Sequence, residues 1–466
     1  MKDKSDNKSD NKSRKFRFNT MQIIALGFLG IILLGAFLLW MPFCNQSPIE
    51  FQDALFTAAT AVCVTGLVTI TPAAQFTAAG KIILLLLIQV GGLGVIACTI
   101  AFFMLVRRRI TLKERIMIQE AYGLDTLSGM VQFIIRILKG TFFAEGIGAL
   151  LYSLYFVPKY GALKGIGYSI FHSVSAFCNA GIDILGNESF IGVSGLPLMG
   201  ITTMLLIVCG GLGFTVWYDI SRNTKEVLGK DVPRRRIFSR LSLQTKIVLT
   251  MTGFLLLVGF AGFFLLEYHN PETFGNMSMG QKILAAGFQS VTIRTAGFAG
   301  VPQSELTAGS KLLGCILMFI GGSPGGTAGG VKTTTIALIL LTCIAAVRGH
   351  KDTECFGRKI DPAVIRSGLT IVVVTFMFWL CGVTAITVLE PGVDFLDIMY
   401  EVTSAMATVG LTADLTPSLC RASQAVLMVL MYVGRIGPLT MALVFAGRAN
   451  KSTRLRDLPE KRIMIG

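Results

Sequence analysis

Four short stretches of this chain share a pattern suited to holding a dehydrated cation. They read Cys63-Val64-Thr65-Gly66-Leu67, Cys178-Asn179-Ala180-Gly181-Ile182, Arg294-Thr295-Ala296-Gly297-Phe298 and Ala407-Thr408-Val409-Gly410-Leu411. The glycines lie 115, 116 and 113 residues apart, so one local pattern recurs at nearly one interval. A cation stripped of water needs other oxygens, and backbone carbonyls supply them when the chain is held extended. Glycine tolerates that backbone and lets chains approach closely. In membrane helices glycine more often serves packing alone, and the shared spacing separates these four from most of the 51 glycines. The candidate ion site is therefore Val64, Thr65 and Gly66; Asn179, Ala180 and Gly181; Thr295, Ala296 and Gly297; and Thr408, Val409 and Gly410, with the cation at their carbonyls.

The elements that must position these loops follow from the apolar pattern. Each loop is preceded by a short apolar segment, at about 53–62, 168–177, 281–291 and 395–406. None can cross the ~30 Å of a bilayer core, so each fits a re-entrant half-helix whose negative C-terminal dipole faces the loop. Such a segment survives at membrane depth only inside protein or beside water. Spanning helices are expected at 21–43 and at about 81–106, 131–157, 196–219, 246–266, 311–347, 363–389 and 423–447. A second glycine cluster follows each loop: Gly91-Gly92-Leu93-Gly94, Gly210-Gly211-Leu212-Gly213, Gly321-Gly322 and Gly434-Arg435-Ile436-Gly437. The expected fold class is an all-α polytopic membrane protein, with four non-identical helix, half-helix, loop, helix units of parallel sense around one pore. The units divide as tail 1–19, repeats 20–110, 111–222, 223–350 and 351–450, and tail 451–466.

The third unit is specialised. Its second helix is interrupted by Gly321-Gly322-Ser323-Pro324-Gly325-Gly326-Thr327-Ala328-Gly329-Gly330, too rich in helix breakers to stay helical. Polar backbone at that depth must line a cavity or be covered. A packing kink is the plainer alternative. A phosphate-binding loop is excluded, because GxxxxGK[ST] needs lysine directly after glycine and Val331 intervenes before Lys332. Arg435 falls near mid-membrane in the last helix, where a charge costs about 2.5–3.5 kcal/mol and marks function; a buried pair with an acid such as Glu145 is the structural alternative. Arg294 adjoins the third loop. An arginine facing the ion path would repel the cation, so Arg294 is expected to point away and tie the loop to its surroundings.

Composition agrees with a membrane protein. Of 466 residues 53% are apolar and 15% charged, with mean hydropathy +0.67, against about 25% charged in soluble domains. The net charge of +15 would suggest nucleic acid in a soluble chain, but the apolar content points to a membrane and no nucleic-acid partner is expected. Of 42 Lys and Arg, 31 fall in five segments that share one side if eight helices alternate. The positive-inside rule makes that side the cytoplasm, with both termini inside, and the same segments can touch anionic lipid. The lysine-rich start lacks a small-residue cleavage site and reads as a disordered tail. Ten scattered cysteines without a CxxC pair and three separated histidines give no metal or redox site. No convergent Ser/His/Asp or paired-carboxylate set indicates an enzyme. The competing transport class is a secondary transporter alternating access around a midplane site, which would show inverted or paired halves with broken helices in corresponding positions.

The four loops, with Gly321 to Thr335 and Gly434 to Thr440, resemble the Trk/Ktr/HKT superfamily of potassium transport proteins over about residues 20–450. The chain is most similar to its KtrB branch, the membrane subunits of bacterial Ktr systems, because it has eight expected spans and no extra N-terminal pair. The resemblance implies a potassium channel-like fold, a homodimer with one pore per subunit, and Na⁺-stimulated K⁺ uptake at the plasma membrane. It also implies a cytoplasmic, nucleotide-binding regulatory ring of KtrA type, so that nucleotides belong to the partner and this chain carries no cofactor. The ring is expected to dock on the basic inner surface, including Arg234-Arg235-Arg236 and the C-terminal tail. Gly321, Gly322, Gly325, Gly326, Thr327, Ala328, Gly329 and Gly330 become an intramembrane gate, assisted by Lys332 and Arg435. Members that prefer Na⁺ often carry serine at the first loop glycine, so Gly66 implies a K⁺ preference. Two departures bear on the oxygen geometry: Val64-Thr65-Gly66 stands where Thr-Val-Gly is usual, and no loop matches the TVGYG of potassium channels.

Overall fold

The computed structural model describes residues 20–106, 110–111, 114–115, 119, 129–186, 189–228, 237–437 and 440–441. The two tails and the Arg234-Arg235-Arg236 loop of the sequence expectations lie outside the described residues.

Four times the chain runs a long helix, a shorter buried helix, a loop and a further helix. First come α1 (Thr20–Trp40), α2 (Phe51–Cys63), α3 (Ala78–Leu93) and α4 (Val95–Leu105). Next are α5 (Met130–Tyr160), α6 (Ala162–Cys178), α7 (Pro197–Gly211) and α8 (Phe214–Leu228). The third set is α9 (Leu243–Glu267), α10 (Met279–Thr292), α11 (Ala308–Phe319) and α12 (Thr333–Val347). A small hairpin of β1 (Glu354–Cys355) and β2 (Arg358–Lys359) leads to α13 (Pro362–Leu389), α14 (Phe395–Met406) and α15 (Arg421–Ile436).

Each long helix packs on the half-helix that follows it, and the packing then passes around a circle. Helix α3 packs on α6, α7 on α10, α11 on α14, and α15 returns to α2. The half-helices form the centre: α2, α6, α10 and α14 are buried through their last turns. Three of the four helices that follow the loops start on side-chain caps, with Thr77, Thr307 and Cys420 accepting from the backbone N–H three residues on, and α7 starts on Pro197 instead. The outer helices expose leucine and phenylalanine instead, among them Leu33, Phe143, Leu257 and Val373, as lipid contact requires.

Among the described residues, α1, α9 and α13 are each long and apolar enough to cross a membrane alone, and two sharply bent pairs, α3 with α4 and α7 with α8, are long and apolar enough only when each pair is taken together. Over 81–106 and 196–219, where one spanning helix each is expected, the chain forms two helices joined at a sharp bend. The first bends by 108° and the second by 96°. The cause is local: Gly94 (φ +85°) and Gly213 (φ +93°) adopt the left-handed region, where an ordinary residue would be strained. Helix α15 likewise ends at Gly437 (φ +100°). The break at Gly321 to Gly330 is thus the longest of a series and not a single exception.

Candidate functional site

The four half-helices end in one backbone conformation. Two residues before each loop glycine a non-glycine residue is left-handed: Val64 (φ +55°), Asn179 (+59°), Thr295 (+73°) and Thr408 (+53°). The glycines Gly66, Gly181, Gly297 and Gly410 are left-handed as well. For a β-branched residue this conformation costs about 1–2 kcal/mol. In three loops the strain is offset by a helix-ending pair of hydrogen bonds, as in Val64 N to Ala61 O (3.2 Å) and Thr65 N to Thr60 O (2.8 Å). The pairs at Asn179/Ala180 and Thr408/Val409 are equivalent, whereas the third loop is offset by a residue, with Ala296 N and Gly297 N both on Thr292 O.

A hydroxyl on each half-helix secures its loop, a feature that sequence reasoning missed. Gly66 N donates to Thr60 Oγ1 (2.9 Å) and Gly410 N to Ser404 Oγ (3.0 Å). Ser175 Oγ donates to Ile182 O (2.6 Å) and Thr292 Oγ1 to Phe298 O (2.8 Å). The available signal was a Ser or Thr six residues before three of the glycines and five before the other.

The loops meet as a closed ring. A Cβ placed on Gly66 would strike the Ala180 carbonyl oxygen; on Gly181, that of Ala296; on Gly297, that of Val409; and on Gly410, that of Thr65. Every such approach is closer than 3.0 Å, a distance real Cβ atoms do not tolerate. Thr65, Ala180, Ala296 and Val409 therefore bring their carbonyl oxygens to one narrow ring, each against the preceding loop's glycine. The hydroxyl oxygens of Thr65 and Thr408 are buried there without a hydrogen-bond partner among the described residues. Above the ring opens a cavity of about 410 Å³, which the four glycines line together with Asp183 and Asp414. Two carboxylates at its wall give it a potential that gathers cations.

Two ion pairs brace neighbouring units at that level. Asp53 and Asp397 each stand thirteen residues before their loop glycine. Asp397 pairs with Lys311 on α11 (2.6 Å), and Asp53 with Arg421 on α15 (2.7 Å). Both bonds join a half-helix to the preceding unit's post-loop helix, so they follow the same circle as the packing.

On the other side of the ring lies the Gly321 to Gly330 segment, held by three units. Ser323 N and Thr327 N donate to Gly211 O (3.0 Å) and Gly210 O (3.2 Å), and Phe214 N donates to Gly325 O (3.0 Å). Thr327 Oγ1 reaches Phe177 O (3.2 Å), at the end of α6. Gly329 lies so close to Thr408 Oγ1 and Ala407 O that a side chain could not fit. Lys332 Nζ donates to the carbonyls of Ala328 (2.6 Å) and Gly329 (3.4 Å), folding the segment back on itself. Gly321 and Gly326 closely approach the carbonyl oxygens of Gly329 and Gly210, and Gly322 the Cβ of Ala328.

Arg435 joins this segment to the first unit. Its guanidinium donates to Thr327 O, Gly91 O and Gly92 O. Glu145, the acid weighed as its partner, accepts from Gln89 Nε2 (3.3 Å). Arg294 is buried and donates through Nη2 to Gly321 O (3.4 Å). It thus holds the start of the interrupting segment. In the other loops the same position is Cys63, Cys178 and Ala407, so the third unit alone carries a cation there. Among the described residues no group of metal-ligating side chains appears.

Comparison with known proteins gives the chain's family and fold. The family model TrkH, described as a cation transport protein, matches residues 3–453. The potassium/sodium uptake protein NtpJ of Enterococcus hirae is 37% identical over 457 residues, covering 97% of this chain and 98% of that protein. The Ktr system potassium uptake protein B of Bacillus subtilis is 38% identical over 441 residues, covering 95% and 96%. The crystal structure of the potassium transporter TrkH from Vibrio parahaemolyticus shares the fold with a TM-score of 0.70 at 17% identity, covering 94% of this chain and 86% of that one. With the family match running nearly end to end, this chain belongs to the TrkH family of cation transport proteins and is a multi-pass membrane transporter, not an enzyme.

Proposed function

We propose that this chain is the pore-forming subunit of a K⁺ uptake system, with four units at 20–110, 111–222, 223–350 and 351–450 surrounding one pore. The observation that carries this reading is the closed circuit in which each of Gly66, Gly181, Gly297 and Gly410 abuts the carbonyl before the next loop's glycine. A ring of carbonyls replaces the hydration of a cation passing along its axis, and the half-helix C-termini aimed at it add partial negative charge. The names of the relatives, which include potassium uptake proteins of Ktr systems, support K⁺ as the ion. Gly321 to Gly330 forms the gate beneath the ring, closed by Lys332 within the segment and by Arg435 across it. The positive charge of Arg435 at that depth adds an electrostatic barrier.

The same reading makes the protein a plasma-membrane homodimer, with its termini and basic loops cytoplasmic, Na⁺ stimulating uptake and a nucleotide-binding regulatory ring of KtrA type on the inner face. The bends at Gly94 and Gly213 are the observation that favours alternating access, which would use them as hinges. The closed circuit of loops runs in one chain order without inversion, and this favours the pore.

The deciding experiment is expression in a bacterium lacking its own K⁺ uptake systems. Restored growth at low K⁺, with Rb⁺ or K⁺ flux into vesicles of the purified chain, is the expected result. Flux that saturates with a fixed stoichiometry and shows exchange across the membrane would replace the pore by an alternating-access carrier.

A further inference from the structure

The hairpin between α12 and α13 lies on the face opposite the cavity and has an unusual tip. Glu354 pairs with Lys359 and Cys355 with Arg358, leaving Phe356-Gly357 as a two-residue turn. Both turn residues have positive φ, +49° and +72°. This turn ordinarily takes Asn-Gly or Asp-Gly. A bulky aromatic residue held left-handed is an outlier that calls for a function. Phe356 is also half exposed and stacks edge-on against the equally exposed Phe238, with ring centres 6.1 Å apart. Lys246 sits over the Phe356 ring at 5.9 Å, and Arg358 and Arg240 are exposed beside the pair. Of the nearby carboxylates, Asp352 pairs with Lys359 (2.7 Å) and Asp361 caps α13 through Ala363 N (2.8 Å), while Glu354 is exposed on β1 across from Lys359, so that the five cations Arg240, Lys246, Arg358, Lys359 and Arg348 outnumber the three acids there.

The depth of this tip identifies its surroundings. Helix α12 ends at Val347, α13 starts at Pro362 and α9 at Leu243, so the two rings lie where three apolar helices leave the hydrocarbon. Aromatic side chains flanked by Lys and Arg at that level match the interface of an anionic leaflet. We propose that Phe238 and Phe356, with Arg240, Lys246 and Arg358, form a binding site for anionic phospholipid headgroups. Occupancy of the site bears on the gate. The inward face of the hairpin, Cys355 and Ile360, packs with Ile247 of α9 and Ala337 of α12, and Thr353 Oγ1 donates to Thr342 Oγ1 on α12 (3.2 Å). Helix α12 begins at Thr333, directly after Lys332. A headgroup that fixes the hairpin thus fixes the helix on which the gate segment ends. The coupling rests on the gate reading above, whereas the binding site does not.

The test uses the full chain reconstituted in phosphatidylcholine vesicles with and without phosphatidylglycerol. In Phe356→Trp, the added fluorescence should be quenched more by brominated phosphatidylglycerol than by brominated phosphatidylcholine. Removing one charge, Arg358→Gln, should lower that preference about fivefold. Phosphatidylglycerol should change Rb⁺ flux in the parent protein and not in Phe356→Ser, with K⁺ over Na⁺ preference equal in both. Equal quenching by the two lipids overturns the site. So does a lipid response that Phe356→Ser retains, or a Phe356→Ser effect confined to the response to a soluble regulatory subunit, which would assign the surface to a protein. Absence of K⁺ flux in every lipid would defeat the pore reading while leaving the quenching result to stand.

Discussion

Asp53 and Arg421 meet as a two-pronged ion pair, with Nη1 2.7 Å from Oδ1 and Nη2 3.1 Å from Oδ2. The bond closes the circle of units, since α2 belongs to the first and α15 to the last. Asp53 Oδ1 also accepts from Thr69 Oγ1 (2.9 Å), three residues beyond Gly66. The pair therefore steadies the first loop as well as the joint. Arg421 is partly exposed, which limits the pair itself to about 1 kcal/mol or less. Asp53→Asn and Arg421→Gln should each lower K⁺ over Na⁺ preference in Rb⁺ and Na⁺ uptake. The double variant should lose less than the two effects summed, as one shared contact requires. Additive losses would mean that the residues act separately.

The hydroxyl supports of the loops give a second expectation. Thr60→Val keeps the shape and leaves the buried Gly66 N–H without an acceptor. Such an orphaned donor costs about 1–3 kcal/mol. Thermal unfolding in detergent should fall accordingly, and ion preference should weaken. Ser404→Ala should behave alike through Gly410 N. A variant of Thr60 with parental stability and selectivity would show that the hydroxyl is dispensable.

For the ring itself, Gly66→Ser is expected to raise Na⁺ entry relative to K⁺ by about tenfold, equivalent to about 1.4 kcal/mol. The new Cβ would meet the Ala180 oxygen at a φ of +112°, displacing that oxygen from the ring. Ion competition in reconstituted vesicles measures the ratio. An unchanged ratio in folded protein would remove Gly66 from the ion path.

The gate is tested by loss of its ties. Arg435→Ala removes the bonds to Thr327, Gly91 and Gly92 and should raise flux while ion preference survives. Arg435→Lys should restore little, because a single ammonium cannot reproduce the planar fork. Deleting part of Gly325 to Gly330 should act in the same direction. Reduced or unchanged flux in assembled protein would make the segment a packing kink.

Glu390, at the end of α13, is a source of acid sensitivity. Glu390 accepts from Cys420 N (2.8 Å), which holds its carboxyl below the usual carboxylate range. Its stabilising effect is present above the unfolded value of 4.5 and is lost as pH falls through the lower folded value. Glu390→Gln should lower stability at neutral pH and flatten the acid limb of the unfolding curve below about pH 4.5, with variant and parent converging at the lowest pH. An identical acid limb would locate the effect elsewhere.

Much of the arrangement was legible because its signals are local. Runs of apolar residues mark helices, and glycine at a fixed interval marks the loops. The short helices before Gly66, Gly181, Gly297 and Gly410 needed nothing beyond length. The bends at Gly94 and Gly213 were hidden, since an apolar run looks the same whether straight or folded back. A glycine cluster reports permission to bend, and the Pro324 carbonyl against Gly213 requires the bend only in three dimensions. The partners of Arg435 were invisible for a related reason. They are backbone carbonyls of Gly91, Gly92 and Thr327, which carry no side-chain signature, whereas an acid such as Glu145 does. Asp53 and Arg421 lay in view throughout, but only the circular packing brings them together.

Because all four loops belong to one polypeptide, the ring need not be symmetric. A channel built from four identical chains must change every quadrant with each substitution. Here Arg294 occupies one quadrant alone, where Cys63, Cys178 and Ala407 leave the equivalent space without charge. Its guanidinium donates to Gly321 O, so the start of the interrupting segment is tied to the third loop. If the segment is the proposed gate, duplication followed by divergence has fitted an off-axis shutter beneath one loop without altering the carbonyl circle.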